Sequence, residues 1–597
     1  MNKSRIGVFV CHCGLNIAAT VDVVHVVEAL RAYPGVAFAA DYKYVCSDPG
    51  QNMIKDAIRE HNLDGVVVAA CSPAMHQATF RKTVASVGMN PYRMESANIR
   101  EQVSWVHQND PERATLKAIE TVRTIVEKVK HNEPLEPIEI PVNRRALVIG
   151  GGIAGLTAAL DIADAGYPVI LVEREAELGG KMRQLSGTYI NFDAAPDLLA
   201  RRIERVQGHP NLQVLVGAEV TELEGYVGNF TVRVNRRGTA RCAPTDPLLE
   251  EGRGGSETRP YSSPDDGEPF TFDVGAVIVA TGWDSYPVDA LSEYGAGEIP
   301  DVIDYLAFER MLAPGQEIRR PSDGRVPREV VFIQCAGSRE TEPARGVPYC
   351  SKVCCMVVPK QAILLTERVP GAQAYVFYTD IRSAGKNYDE YVQRAMSERR
   401  ALYLRGKVSR VFRDGDKVMV WGADTLSGRE IEIAADLVVL ATPMLAAEGA
   451  RALAQTLHIS TDEHGFYNEA HPKLRPVETL TAGVFVAGAG QGPKDIPETV
   501  AEASGAAAKA LQLFAQDHIT QDPTVAVVDA DLCAACGACV EACPYGARSI
   551  HPVWRVATVQ AALCQGCGAC VAACPNKACA VRNWTPAQVL GMADMFV

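Results

Sequence analysis

The sequence predicts an α/β protein of three successive modules: a small parallel α/β domain, a larger α/β domain with a glycine-rich turn, and a short cysteine-repeat domain at the C-terminus. Three observations carry that prediction. Apolar runs of strand length alternate with amphipathic helical stretches through residues 1–131. A strand, a glycine-rich turn and a helix follow one another over Arg145–Ala165. Residues 524–582 hold one cysteine pattern twice. The 597 residues, 47% hydrophobic and 22% charged, suit a multidomain globular chain. A net charge of −13 argues against a nucleic-acid partner. No apolar run approaches the ~20 residues of a membrane helix. The N-terminal MNKSRIGVFVCHCG reads as a buried strand and not as a signal peptide, so a cytoplasmic location is expected. Disulfides are rare there, and the eighteen cysteines, most of them in tight groups, point to metal ligation.

In residues 1–131, strands are predicted at Arg5–Val10, Ala37–Val45, Gly65–Ala70 and Tyr92–Glu95. Helices are predicted over 21–32, 51–61, 75–87 and 111–131. Cys11 and Cys13 follow the first strand, Cys46 the second and Cys71 the third. The C-terminal ends of parallel strands converge on one crevice. The four cysteines are therefore expected to meet and to hold a 4Fe–4S cluster; ordinary core packing is the alternative. Residues 132–144 are Pro-rich and acidic and read as a linker.

Residues 145–328 begin the dinucleotide-binding part. The strand Arg145–Ile149 runs into Gly150, Gly152 and Gly155, a helix follows to about Ala165, and a second strand ends at Glu173. Gly150 permits the tight turn, Gly152 lets backbone approach a pyrophosphate, and Gly155 lets the helix pack on the sheet. The helix N-terminus faces the phosphates, and Glu173 takes the ribose position. REAELGGKM, with Gly179, Gly180 and Lys181, resembles the second glycine element of the two-dinucleotide flavoproteins of the thioredoxin-reductase and glutathione-reductase type. VGAVIVATG resembles their ATG strand and contributes Thr281 and Gly282. TLTAGVFVAGAGQ resembles their last flavin strand and contributes Gly488. The resemblance implies FAD. It departs after Gly488, where Ala489 replaces the family's Asp; Gly490, Asp495 or a backbone N–H then takes over the ribityl contact. The stretch 237–269, rich in Gly, Pro and Ser, reads as a surface loop that interrupts a hairpin, with Cys242 incidental.

Such flavoproteins carry a second glycine fingerprint in an inserted domain, here residues 329–440, with 441–520 returning to the flavin domain. After the expected strand Glu329–Gln334 the fingerprint is absent, which argues against a nicotinamide site. Cys335, Cys350, Cys354 and Cys355 stand there instead. A 4Fe–4S cluster is the favoured reading, against a thiol pair at adjacent Cys354–Cys355 and against buried structural cysteines.

Residues 521–597 form the last domain. Cys533, Cys536, Cys539 and Cys543 precede Pro544; Cys564, Cys567, Cys570 and Cys574 precede Pro575. Both runs read C-x2-C-x2-C-x3-C-P, the pattern of bacterial two-cluster ferredoxins, in which the fourth cysteine ligates the other cluster. One cluster is thus assigned to Cys533, Cys536, Cys539 and Cys574, and the other to Cys564, Cys567, Cys570 and Cys543. Zinc sites share CxxC pairs but lack the Cys-Pro ending and the duplication. Cys579 falls outside the pattern and reads as a small core residue.

VCHCGLNI, YKYVCSDPGQ, AACSPAMH, GGGIAGLTAAL, PYCSKVCCM and the two ferredoxin runs resemble the A-type subunits of heterodisulfide reductase along nearly the whole chain. The resemblance implies an FAD- and cluster-bearing oxidoreductase subunit. Such a subunit is expected to split or relay electron pairs between a donor module (hydrogenase, formate dehydrogenase or similar), low-potential ferredoxin and subunits B and C, as a homodimer within a larger complex. It also places Lys360, in CCMVVPKQA, beside the flavin, where a cation favours negative charge on the ring. A surface or capping role is the alternative for this lysine. Long family members insert a further ferredoxin module where this chain has the cysteine-poor loop 237–269. Two other readings are a flavin subunit of a quinone-linked membrane complex and a stand-alone NAD(P)H-dependent flavoenzyme.

Overall fold

The computed structural model describes residues 4–236, 269–343 and 345–596. The chain falls into two compact units, residues 1–140 with 520–597, and residues 141–519. Cys242 and the loop expected at 237–269, apart from its last residue, lie outside the described residues.

In the first unit, β1 (Ile6–Cys11), β2 (Val36–Tyr42), β3 (Gly65–Ala70) and β4 (Met94–Asn98) form a parallel sheet in the order β2-β1-β3-β4. IGVFVC and GVVVAA are buried at every position, which is why the two central strands read as continuous apolar runs. Helices α1 (Val23–Arg31), α2 (Asp48–Glu60), α3 (Pro73–Ala85) and α4 (Pro111–Lys130) connect and cover them. In α4, Ala114, Ala118, Val122, Val126 and Val129 recur at helical spacing and are buried.

The same unit contains the cysteine-repeat module. Strand Ala526–Val528 pairs with Cys579–Val581 and Arg548–Ile550 with Ala557–Val559, both antiparallel, beside short helices Ala538–Glu541 and Ala569–Ala573. Helix Pro586–Ala593 then packs against α4. Buried Gln588 donates to the His131 carbonyl at 2.9 Å, Asn583 brackets the Glu133 backbone, and the Lys128 ammonium lies 4.5 Å from the Trp584 ring centroid. The first and last modules of the sequence therefore share one unit.

The second unit is built on two five-stranded parallel sheets. The first has the order Val484–Val486, Ala276–Val279, Ala146–Ile149, Val169–Glu173, Leu212–Val216. Helix Ile153–Asp164 follows the fingerprint turn, and helix Ile496–Phe514 packs against it. Strands Asn229–Arg236 and Phe270–Val274, on either side of the undescribed loop, pair antiparallel. The second sheet has the order Val302–Asp304, Leu437–Leu440, Glu329–Ile333, Gln373–Tyr378, Leu402–Arg405. Its edge strand and the helix Tyr305–Met311 lie upstream of residue 329, where the sequence reading starts the inserted segment. The VID strand is too short to show a strand period. Among the described residues no helix is long and apolar enough to cross a membrane.

Candidate functional site

A cavity of about 900 Å³ opens at the C-terminal end of the fingerprint sheet. That is the size a dinucleotide needs, at the top of the usual ligand-pocket range. Gly150, Gly152, Glu173, Gly180, Lys181, Thr281 and Gly282 all line it. Gly150 has φ +109°, and a Cβ there would stand 2.4 Å from the Ala280 carbonyl oxygen. Gly152 has open space where its Cβ would be, so backbone is presented to the cavity at the N-terminus of the helix. Gly155 and Gly488 sit behind the wall. A Cβ on Gly155 would come within 1.8 Å of the Gly150 carbonyl oxygen, and one on Gly488, at φ +72°, within 3.0 Å of Ala154 and Thr499. The two glycine elements meet directly: a Cβ on Gly180 would lie 3.1 Å from the Gly152 Cα, and the Gly179 N–H donates to the Gly151 carbonyl. Glu173 is buried; its Oε2 accepts from Gly151 N–H at 2.5 Å and its Oε1 from Glu175 N–H at 2.8 Å. Lys181 pairs with Asp284 at 3.2 Å, and Thr281 bonds the Tyr467 hydroxyl. The cavity's volume, the bare glycine backbone and the helix N-terminus fit FAD.

Ala489 and Asp495 line the cavity, Gly490 does not. The Asp495 carboxylate is already engaged. It caps helix Ile496–Phe514 through the Glu498 N–H and accepts from the Tyr189 and Tyr388 hydroxyls.

Lys360 also lines the cavity and is neither a surface nor a capping residue, being 2% exposed. Its Nζ donates to the Gly187 carbonyl and to Glu309 Oε2, each at 2.7 Å. Glu309, fully buried, also accepts from Ser186 and Gln361. Burial opposes its charge, yet Lys360 and Ser186 hold the carboxyl below its usual range. Glu309 was invisible in the sequence because its partners are 51 and 123 residues away. Replacing Glu309 with Leu strands a buried ammonium. The expected cost is about 3–5 kcal/mol in thermal or urea unfolding, and a change under about 1 kcal/mol would show the pair to be dispensable.

Helix Cys354–Arg368 places Lys360 and Val357, with Val353 just before it, on the cavity at helical spacing. Its first two residues, Cys354 and Cys355, turn to Cys335, which follows strand Glu329–Ile333 at φ +58°. Cys354 lies within electrostatic reach of both other thiols. The Cys354 contact pulls the Cys335 thiol down against burial, with help from Arg339, and pushes Cys354 itself up. Cys350 sits on the incoming loop, its Sγ accepting from Lys352 N–H at 3.3 Å; among the described residues no hydrogen bond joins it to the other three.

In the first unit, Cys11 closes β1, Cys13 follows at φ +48°, Cys46 lies in the turn after β2, and Cys71 follows β3. The Cys13 N–H donates to Cys11 Sγ at 3.2 Å. Cys46 lies within electrostatic reach of Cys11, and Cys13 within reach of Cys71. Burial pushes the Cys11 and Cys71 thiols up; Arg100, which donates to Cys13 Sγ at 3.5 Å, opposes this at Cys71.

In the repeat module one void is lined by Cys533, Cys536, Cys539 and Cys574, and a second by Cys543, Cys564, Cys567 and Cys570. Backbone N–H groups donate to Sγ of Cys533, Cys543, Cys564 and Cys574, each at 3.3 Å. Such bonds suit thiolate ligands of a cluster. Gly537 and Gly568, both in the left-handed region, keep the loops bare beside the voids. Cys579 is a buried residue, as expected, but burial also pushes its thiol up to about 12 and it accepts from Arg548. All seventeen described cysteines are free. Among the described residues no three His, Cys, Asp or Glu side chains converge as a single metal ion would require.

Residues 145–210 match the FAD binding domain family and residues 532–578 the 4Fe-4S dicluster domain family. The chain is 43% identical to the second iron-sulfur A-type subunit of CoB–CoM heterodisulfide reductase from Methanopyrus kandleri, over 91% of each chain. It is 41% identical to the A-type subunit of H2:CoB–CoM heterodisulfide,ferredoxin reductase from Methanothermobacter marburgensis, over 92% of this chain and 91% of that protein. Thioredoxin reductase of T. acidophilum is similar in structure over 62% of this chain and 98% of its own, at 18% identity and a TM-score of 0.39. With a flavin-sized cavity in one unit and paired cysteine sets in the other, this chain belongs to the family of heterodisulfide reductase A-type subunits and is an iron–sulfur flavoprotein oxidoreductase.

Proposed function

We propose that this chain is the electron-relaying FAD subunit of a heterodisulfide-reductase-like complex, holding one FAD and four 4Fe–4S clusters. The clusters are assigned to Cys11/Cys13/Cys46/Cys71, Cys335/Cys350/Cys354/Cys355, Cys533/Cys536/Cys539/Cys574 and Cys564/Cys567/Cys570/Cys543. Its partners are subunits B and C, a donor module such as a hydrogenase or formate dehydrogenase, and ferredoxin. It acts in the cytoplasm, as a homodimer within the complex. FAD exchanges electron pairs with one partner and single electrons with clusters, which is the chemistry needed to split or relay a pair. One observation supports the reading most: the helix that begins with Cys354 and Cys355 lines the flavin cavity with Val357 and Lys360. A thiol-bound centre there would neighbour the flavin, where nicotinamide would stack in an ordinary relative.

Iron and flavin analysis of anaerobically purified protein tests the count. About sixteen irons and one FAD per chain are expected, four irons to each cluster. About eight irons with full flavin would remove the two clusters outside the ferredoxin module. NADH and NADPH are expected not to reduce the flavin, since residues 335–355 carry cysteines in place of a second fingerprint. Stoichiometric bleaching by NADPH on a catalytic timescale would overturn that part.

A further inference from the structure

The two halves of the repeat module continue differently after their Cys-Pro turns. CPYGAR ends in Arg548 and CPNKAC ends in Cys579, the same five positions beyond Cys543 and Cys574. The two residues begin the strands Arg548–Ile550 and Cys579–Val581. Equivalent positions of an internal duplication thus meet, for Arg548 Nη2 donates to Cys579 Sγ at 2.7 Å. Cys579 lines the void of Cys533, Cys536, Cys539 and Cys574. Arg548 lines that of Cys543, Cys564, Cys567 and Cys570 and lies within electrostatic reach of Cys570.

Arg548 is 4% exposed and, among the described residues, forms no ion pair with a carboxylate. Its Nε and Nη1 are buried without a hydrogen-bond partner. A buried guanidinium with spare donors is strongly unfavourable unless an anion faces it. A 4Fe–4S core held by four thiolates is a net anion whose sulfurs accept N–H bonds.

We propose that Arg548 is the counter-ion of the cluster at Cys543, Cys564, Cys567 and Cys570 and makes it the higher-potential member of the pair. This rests on the ferredoxin-type cluster reading given above. The positive charge lies on one cluster's wall, while its counterpart on the other wall is a thiol. The module is thereby electrically asymmetric despite its symmetric ligand pattern. A fixed cation stabilises the reduced, more negative cluster, so an electron on the module rests at that site.

The test is an EPR-monitored redox titration of the full-length, cluster-loaded protein, comparing Arg548→Met with wild type. The two signals are assigned by Cys567→Ser, which touches one ligand set. Arg548→Met is expected to keep its iron and to shift the one-electron reduction equilibrium of the Cys543/Cys564/Cys567/Cys570 cluster at least tenfold toward the oxidised form, about 59 mV. The other cluster is expected to move less. Midpoints within twofold of wild type, or equal shifts in both clusters, would overturn the proposal. Should Arg548→Met lose iron, Arg548→Lys decides. Restored iron with near-wild-type midpoints supports the charge role, and iron loss in both variants makes Arg548 a packing residue and overturns it. A wild-type protein with no signals from this module would instead defeat the cluster reading itself.

Discussion

Gly152→Glu is expected to leave the protein folded and to reduce bound FAD at least tenfold, whereas Gly155→Val is expected to lose both flavin and stability. The two glycines look alike in the sequence but meet different surroundings. Gly152 has extended backbone at φ −76°, and nothing lies within 4 Å of where its Cβ would be, so the fold tolerates a side chain there. A carboxylate at that point would occupy the helix N-terminus in place of a pyrophosphate and repel it. Gly155 has the Gly150 carbonyl oxygen 1.8 Å from its Cβ position. That oxygen is backbone, so valine must push helix Ile153–Asp164 off the sheet and deform the turn, a cost in the range of overpacked cores, about 1–3 kcal/mol or more. The flavin-to-protein absorbance ratio, read with thermal unfolding, separates the two. Full flavin in Gly152→Glu would show that this turn does not face the cofactor.

Cys354→Ala is expected to lose about four irons per chain, one cluster's worth, while keeping FAD and the other clusters. Cys354 lies within electrostatic reach of both Cys335 and Cys355, and it is absent from the cavity face formed by Val353, Val357 and Lys360. The flavin's glycines and the eight ferredoxin-type cysteines belong to other segments of the chain. Loss of one EPR signal alongside the iron supports the assignment. Cys350→Ala is expected to behave the same way, and it is the stricter test, because no hydrogen bond among the described residues ties the Cys350 sulfur to the other three. Unchanged iron in a folded Cys354→Ala protein would return the group to thiol chemistry.

Much of this protein is written locally. The fingerprint turn, with glycines at fixed offsets between two strands, determined the first sheet's central strands and the helix between them, and the structure places these at Ala146–Ile149, Ile153–Asp164 and Val169–Glu173. The duplicated cysteine run determined which cysteines group together, because ligand spacing within a few residues is a property of the backbone and needs no distant partner. The alternation of strands and helices in residues 1–131 pointed to a parallel sheet, whose strand ends share one edge; Cys46 lies within electrostatic reach of Cys11 there, and Cys13 within reach of Cys71, while the strand order came only from the structure. Tertiary structure alone decided what depends on contacts between distant segments. It paired Lys360 with Glu309, gave the Asp495 carboxylate to Tyr189 and Tyr388, drew Val302–Asp304 into the second sheet, and packed helix Pro586–Ala593 on α4. Arg548 and Cys579 show the boundary between the two. Their equivalent places are visible in the repeat, but their hydrogen bond across 31 residues exists only once the two halves are folded against each other. Core burial leaves a helical or strand period in the sequence, but the pairing of a buried charge with a residue of a distant segment leaves none.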